Sequence, residues 1–277
     1  MTRACPLTAE RFAEDAGGRL LSGDPARVLA RVSIDTRTIG EGDAFLAIHG
    51  PRIDGHAFVG DALRQGASAL VVHHEASVIG LVTGDRPVIL VHDTVRALQD
   101  VARAVRRRAG ATVVAITGSA GKTTTKELAA AVAATRFRTL RNRGNFNNHI
   151  GLPLSLLDLQ DGHEVAVVEL GMNHAGELRH LVGIAEPDVR VWTNVGTAHI
   201  EYFGSQDAIA EAKAEILEGA SAHTVFIANA DDPRVAARGA GFAGRLLTFG
   251  VGEPADVRAL DEGRAFFIRG AALAQVE

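Results

Sequence analysis

The sequence predicts an α/β protein: a small N-terminal α/β domain over residues 1–91, then a doubly wound, mainly parallel sheet over residues 92–277, incomplete at its C-terminal end. Three observations carry this. From Asp93 onward, apolar β-branched runs alternate with helix-length segments, the pattern of repeated helix-to-strand crossovers. "ATVVAIT" is almost continuously apolar, as in a central parallel strand covered on both faces. Before Asp93, strands and helices also mix, but in shorter and less regular pieces.

In order, "TAERFAEDAGG" reads as a capped amphipathic helix that stops at Gly17 and Gly18. "VLARVSIDTR" and "GDAFLAI" read as strands separated by the turn signal "TIGEGD". "HAFVGDALRQGA" is a helix feeding the strand "SALVVHH", and "RPVILVHD" is another buried strand. The helix "TVRALQDVARAVRRRAG" leads to "ATVVAIT", a glycine loop, the helix "KTTTKELAAAVAAT" and the strand "RTLRN". "LPLSLLDL" precedes the buried strand "HEVAVVEL". Three further units follow: "GELRHLVGIAEP" to "DVRVWTNV", "SQDAIAEAKAEILEGA" to "TVFIANA", and "DPRVAARGAG" to "RLLTFG". The end alternates like antiparallel strands with a hairpin at Asp261 to Gly263.

At 277 residues the chain is long enough for two domains and a buried core. The 29 Lys and Arg against 33 Asp and Glu leave a formal net charge of -4, which weighs against nucleic acid as a partner. The basic run "RAVRRRAG" suits a helix C-terminus. Cys5 is the only cysteine, so no intrachain disulfide can form. No run reaches the length of a signal-peptide core or a membrane span, so no membrane partner is expected and the cytoplasm is the expected compartment.

"VVAITGSAGKTTTKE" carries the first chemical signal. The common phosphate-loop spelling places a glycine five positions before the glycine of Gly-Lys-Ser/Thr, but Ile116 stands there and the nearest earlier glycine is Gly118. The context is nevertheless strand, glycine loop, helix. Glycines 118 and 121 let the backbone approach phosphate oxygens, and the unpaired amides of the following helix attract an anion. The expected nucleotide contacts are Gly118, Ser119, Ala120, Gly121, Lys122, Thr123 and Thr124, with Lys122 on the outer phosphates and the Thr123 hydroxyl on Mg²⁺. The plainer reading is a turn that merely needs glycines.

Glu169 ends another central strand, so it either faces the same crevice, where a carboxylate can support Mg²⁺, or faces solvent. "RNRGNFNNHIGLP" packs four asparagines into one loop, as turn caps or as amides turned toward a polar ligand. "TNVGTAHIEYFGS" brings His199 to a strand's carboxyl end, and Lys213 lies in the next helix, where a solvated lysine is the ordinary expectation.

"TGSAGKTTTKE", "GNFNNHIGLP", "VVELGMNHAGE", "TNVGTAHIEYFGS" and "AIAEAKAEI" occur in the order seen in the Mur ligases, and the chain resembles that family along essentially its whole length. In detail it is similar to the branch that joins D-alanyl-D-alanine to UDP-N-acetylmuramoyl-tripeptide; the double-Asn loop and "ELGMNHAGE" favour that branch over MurE. "SIDTRTIGEGDAFLAIHGPRIDGHAF" resembles the family's uridine-nucleotide-binding domain, with Ser33, Asp35, Thr36 and Arg37 in the segment expected near the nucleotide. The short phosphate loop is the family's own form. The resemblance implies an ATP-dependent ligase working through an acyl phosphate. Lys122, Glu169, His199 and Lys213 would be its catalytic set, and Thr123, Glu169, His199 and a carbamylated Lys213 its metal ligands. Asn145 and Asn148 would contact the phosphates or the acceptor, Asn148 being the better motif match. A monomer is expected.

Full Mur ligases have three domains, and this sequence ends within or just after the central one. The expectation is therefore that this polypeptide alone ligates weakly or not at all. The rival is a binding module that holds nucleotide or UDP-muramoyl peptide without turnover. A GTPase switch is disfavoured, because the loop is short and no Asn-Lys-x-Asp motif occurs.

Overall fold

The computed structural model describes residues 6–252, 255–260, 265–268 and 274–275, the last two stretches by their backbone. Cys5 and the hairpin turn expected at Asp261 to Gly263 lie outside the described residues. The chain forms two compact units, one of residues 1–110 and 153–163, the other of residues 111–152 and 164–277. Packing thus groups the helix after Asp93 with the first unit, whereas the strand–helix alternation read from sequence begins at residue 92.

In the first unit, α1 (Ala9–Asp15) starts at Thr8, whose hydroxyl accepts from Arg11 N–H. The strands are β1 (Arg19–Ser22), β2 (Arg31–Ser33), β3 (Asp43–Leu46), β4 (Ala69–Val72) and β5 (Val88–Leu90), with α2 (Val59–Arg64) before β4. They form one sheet in the order β1-β5-β4-β3-β2, parallel except for β1 against β5. Every residue of β3 and β4 is buried, as expected of parallel strands covered on both faces. Phe45, Leu70, Val72 and Val88 pack with Val59 and Ala62 of α2 as the unit's core. β1 escaped the sequence reading because "RLLS" is short and only half buried.

Helix α3 (Thr94–Ala109) is capped by the Asp93 carboxylate, which accepts from Arg96 N–H, and is ended by Gly110 in the left-handed region. Its last turn carries Arg106, Arg107 and Arg108, and Arg108 makes a two-armed pair with Asp15 at 2.9 and 2.7 Å. The basic run therefore sits where a helix dipole favours it.

The second unit runs β6 (Thr112–Thr117), α4 (Lys122–Ala134), β7 (Thr139–Arg141), β8 (Val165–Glu169), α6 (Glu177–Ala185), β9 (Val189–Trp192), α7 (Ile200–Phe203), α8 (Gln206–Ala214), β10 (Val225–Asn229), α9 (Pro233–Gly239), β11 (Arg245–Gly250), β12 (Val257–Leu260), β13 (Ala265–Ile268) and β14 (Ala274–Gln275), while α5 (Gly151–Leu156), which follows β7 in the chain, falls mostly in the first unit. Its sheet order is β14-β13-β12-β11-β10-β9-β6-β8-β7. The strands from β7 to β12 pair in parallel, and β13 and β14 add antiparallel ladders. β6 is central: Ile116 pairs with Glu169 of β8 on one side and with Val191 of β9 on the other. Because the chain visits β8 and then β9 on opposite sides of β6, the order reverses at its carboxyl end, where open α/β sheets bind ligands.

Candidate active site

The loop from β6 to α4 is fixed by two glycines. Gly121 has φ +79° and forms the N-cap of α4, whose start has no side-chain cap. Its first amides are thus left for a ligand. Gly118 has φ +152°, and a Cβ there would lie 1.9 Å from Thr193 Oγ1, the hydroxyl that donates to Ala120 C=O at 2.7 Å. Gly118→Ala is therefore expected to cost at least ~2 kcal/mol, read as an earlier urea-unfolding midpoint; an unchanged midpoint would contradict this packing.

The loop leans on the segment after β9. Ser119 N–H donates to Asn194 C=O at 3.1 Å, Ala120 N–H donates to Asn194 Oδ1 at 2.9 Å, and Asn194 Nδ2 donates back to Ala120 C=O at 3.1 Å. Lys122 Nζ donates to Gly118 C=O at 2.9 Å, across the loop. Ser119 Oγ is buried with no hydrogen-bond partner among the described residues, which is unusual for a buried hydroxyl.

Glu169 is 3% exposed, so it does not face solvent. Thr123 Oγ1 donates to its Oε2 at 2.7 Å, and Asn147 Nδ2 donates to its Oε1 at 2.7 Å. Asn142 Oδ1 accepts from Glu169 N–H at 3.0 Å. Asn142 is in turn held by Lys126, which is fully buried and donates to the Asn142 and Gly144 carbonyls at 3.0 and 3.4 Å. The carboxylate is thus held by Thr123 and Asn147, and the backbone of Glu169 by Asn142.

Sequence reasoning selected two other asparagines of that loop. Asn148 Oδ1 accepts from Ile150 and Gly151 N–H at 3.1 and 2.8 Å, a turn-capping role, and Asn145 is exposed. Asn142, Asn147, Lys126, Thr193 and Asn194 were missed; the density of asparagines was the available signal for the first two.

His199 follows β9 with φ +66°, an uncommon left-handed position for a side-chain-bearing residue, and its ring has no hydrogen-bond partner among the described residues. Lys213 of α8 is 2% exposed, so it is not the solvated lysine of the plain reading. Its ammonium has no hydrogen bond or ion pair among the described residues, whereas its carbonyl accepts from Glu215 N–H. Burial first, and the Lys122 charge second, push its ammonium down from 10.5 to about 7. Arg190, buried on β9, positions the turn after α8 by donating to Ile216 and Glu218 C=O, both at 2.6 Å.

The first unit keeps Ser33 at the end of β2 and Asp35, Thr36 and Arg37 on the turn that follows it. Ser33 Oγ donates to Asp35 C=O at 3.1 Å, and Thr36 opens a 3-10 turn. Asp35 accepts from Arg37 N–H, Nε and Nη2, at 3.0, 2.9 and 2.6 Å. The Arg37 side chain, then its backbone N–H, holds the Asp35 carboxyl down to about 2.

Comparison with known proteins gives the same assignment from two directions. Residues 116–269 match the Mur ligase middle domain, and residues 29–106 match the Mur ligase family, catalytic domain. The UDP-N-acetylmuramoyl-tripeptide--D-alanyl-D-alanine ligase of Bacillus subtilis is 37% identical over 269 residues, 95% of this chain and 58% of that protein. A crystal structure of MurF from Acinetobacter baumannii has TM-score 0.83 and 34% identity, over 93% of this chain and 56% of that one. The MurF ligase from Thermotoga maritima in complex with ADP has TM-score 0.77 and 35% identity, over 90% and 58%. The chain therefore spans little more than half the length of the relatives it matches. With a middle-domain match over more than half of its residues, and a glycine loop and buried glutamate set at the switch point of the sheet, the chain belongs to the Mur ligase family.

Proposed function

We propose that the chain serves ATP-dependent amide-bond formation, joining D-alanyl-D-alanine to UDP-N-acetylmuramoyl-tripeptide in peptidoglycan synthesis. Residues 1–91 are the proposed UDP-muramoyl-peptide domain, with Ser33, Asp35, Thr36 and Arg37 at the uridine nucleotide. Residues 92–277 are the proposed ATP domain, acting as a monomer in the cytoplasm. Among the described residues no helix is long and apolar enough to cross a membrane.

The observation that carries this reading is the Thr123–Glu169 contact of 2.7 Å at the mouth of a glycine loop with an orphaned Ser119 hydroxyl. Ser119 Oγ and the first α4 amides fit phosphate oxygens, and Lys122 exchanges the Gly118 carbonyl for them. The adjacent oxygens of Thr123 and Glu169 suit a hard cation, and Mg²⁺ held there would neutralise phosphate charge. His199, and Lys213 in carbamate form, are the proposed ligands of a second Mg²⁺.

A free carboxylate is a poor acyl donor. Transfer of the γ-phosphoryl group to it forms an O–P bond as the β,γ-bridge breaks, giving an acyl phosphate and ADP. The amine nitrogen then attacks the acyl carbon, the C–O bond to phosphate breaks, and the amine proton is lost as phosphate leaves. In the first step positioning and charge neutralisation do most of the work, which is what Lys122 and the loop amides offer. No described side chain is assigned as base for the amine.

The test is ADP and amide formation by this chain with ATP, Mg²⁺, UDP-tripeptide and D-alanyl-D-alanine, beside calorimetry for each ligand. Slow ADP release that needs both acceptor substrates supports ligation at the weak level expected of this chain alone. Binding of ATP and UDP-tripeptide without turnover supports the rival, a non-catalytic binding chain. Failure to bind either overturns both.

A further inference from the structure

In the first unit, four histidines converge. β3 and β4 are parallel neighbours, with Leu46 paired to Val71, so the residues that follow them emerge side by side. His49 and His56 come from the segment after β3, and His73 and His74 directly follow β4. The segment after β3 is pinned as a tight loop: Gly50 N–H donates to Ile53 C=O at 2.9 Å, and Gly55 N–H donates to Ile48 C=O at 2.8 Å. Gly55 has no room for a side chain, since a Cβ would lie 2.8 Å from both Ile48 N and Ile48 O. That close approach delivers His56, buried, against the end of β4.

The rings meet closely. His56 lies 4.2 Å from His73 and 4.3 Å from His74 between centroids, and His73 stacks on His74 at 4.6 Å. One ring nitrogen from each of His56, His73 and His74 lies within 4.8 Å of the others. Ligands of a tetrahedral ion with metal–nitrogen bonds near 2.1 Å sit about 3.4 Å apart, so modest side-chain rotation closes the set. His56 Nδ1 is hydrogen-bonded to Asp54 Oδ1 at 2.6 Å, the carboxylate–imidazole pairing that orients a metal-bound histidine and leaves Nε2 for the ion. Nε2 meanwhile accepts from His73 N–H at 3.2 Å, one long hydrogen bond that metal entry would replace. The same Asp54 reaches His49 Nδ1 at 3.3 Å, and the His49 ring stands 6.1 Å from His73.

We infer that His56, His73 and His74 form a binding site for a borderline divalent transition metal of the Zn²⁺ class, with Asp54 orienting His56 and His49 or water completing the shell. Three imidazoles select such ions over Mg²⁺, which prefers oxygen ligands. The site is distinct from the proposed Mg²⁺ ligands Thr123 and Glu169, which belong to the other unit.

The experiment is calorimetric titration of the metal-free, untagged chain with Zn²⁺ in excess Mg²⁺, paired with Co²⁺ absorption spectra. One Zn²⁺ per chain and a Co²⁺ band of tetrahedral nitrogen coordination are expected. The His73→Ala/His74→Ala variant should lose at least ~100-fold in affinity, and Asp54→Asn about 10-fold. Should the double variant not fold, the exposed His74→Ala alone should lose the tetrahedral spectrum and the Zn²⁺-induced rise in melting temperature. Glu169→Gln and His199→Ala should leave Zn²⁺ binding unchanged. Binding that survives the histidine variants, disappears in the Glu169 or His199 variants, or is absent in the unaltered chain overturns the site.

Discussion

Lys122→Ala is expected to weaken ATP binding about 100-fold, or ~2–3 kcal/mol, while leaving the fold intact. Among the described residues its ammonium donates only to Gly118 C=O, a loop contact 2.9 Å long that ATP phosphates would replace. The loop itself rests on other groups: the left-handed glycines 118 and 121 and the Thr193 and Asn194 bonds, none of which involves the Lys122 side chain. Losing the ammonium therefore removes charge from the phosphates without removing the cradle. Calorimetry with ATP and Mg²⁺ reads the effect, and thermal unfolding without nucleotide should move by less than about 1 kcal/mol. If ATP affinity is unaltered, the phosphate-site assignment fails. A loss of UDP-tripeptide binding in the same variant would mean that the substitution acts through general unfolding instead.

The sequence disclosed the frame of this site better than its internal wiring. Continuous apolar runs identify β6 and β8, because strands covered on both faces have no alternation to misread. Placing Lys122, Thr123 and Glu169 at strand ends followed from that frame. What stayed hidden depends on loop register. Asn147 touches Glu169 whereas its neighbour Asn148 caps the next turn, and no one-dimensional pattern separates adjacent residues of the same type. Lys126 looks like a helix-surface lysine but is buried because the asparagine loop turns its carbonyls onto it. α7 is a single turn, too short for any periodicity to mark. The histidine cluster joins residues from two strand ends, and becomes visible only once β3 and β4 are known to be parallel neighbours.

Lys213 should make stability depend on pH in a way that Lys213→Met abolishes. In an unfolded chain its ammonium titrates near 10.5, whereas burial and Lys122 lower it to about 7 in the fold. Between those values the unfolded chain holds a proton that the folded chain has released. Stability therefore rises with pH across that window, by up to about 1.4 kcal/mol per pH unit, and the term is flat below pH 7. Below pH 7, keeping a buried ammonium beside Lys122 costs on the order of 5 kcal/mol. Near pH 7 a large share of the amine is neutral and nucleophilic. Its nitrogen can bond to the carbon of CO₂ and release a proton, giving a carbamate that turns repulsion from Lys122 into attraction. Bicarbonate should then raise the melting temperature of the unaltered chain by mass action, leave Lys213→Met unmoved, and give with ¹³C-bicarbonate a carbamate signal absent from the variant. The difference in unfolding free energy between the two proteins should climb from pH 7 to 10 without bicarbonate. A flat difference would show that Lys213 keeps its ordinary pKa. A rising difference with no carbamate signal would leave the amine buried but unmodified, and would remove it from the proposed metal ligands.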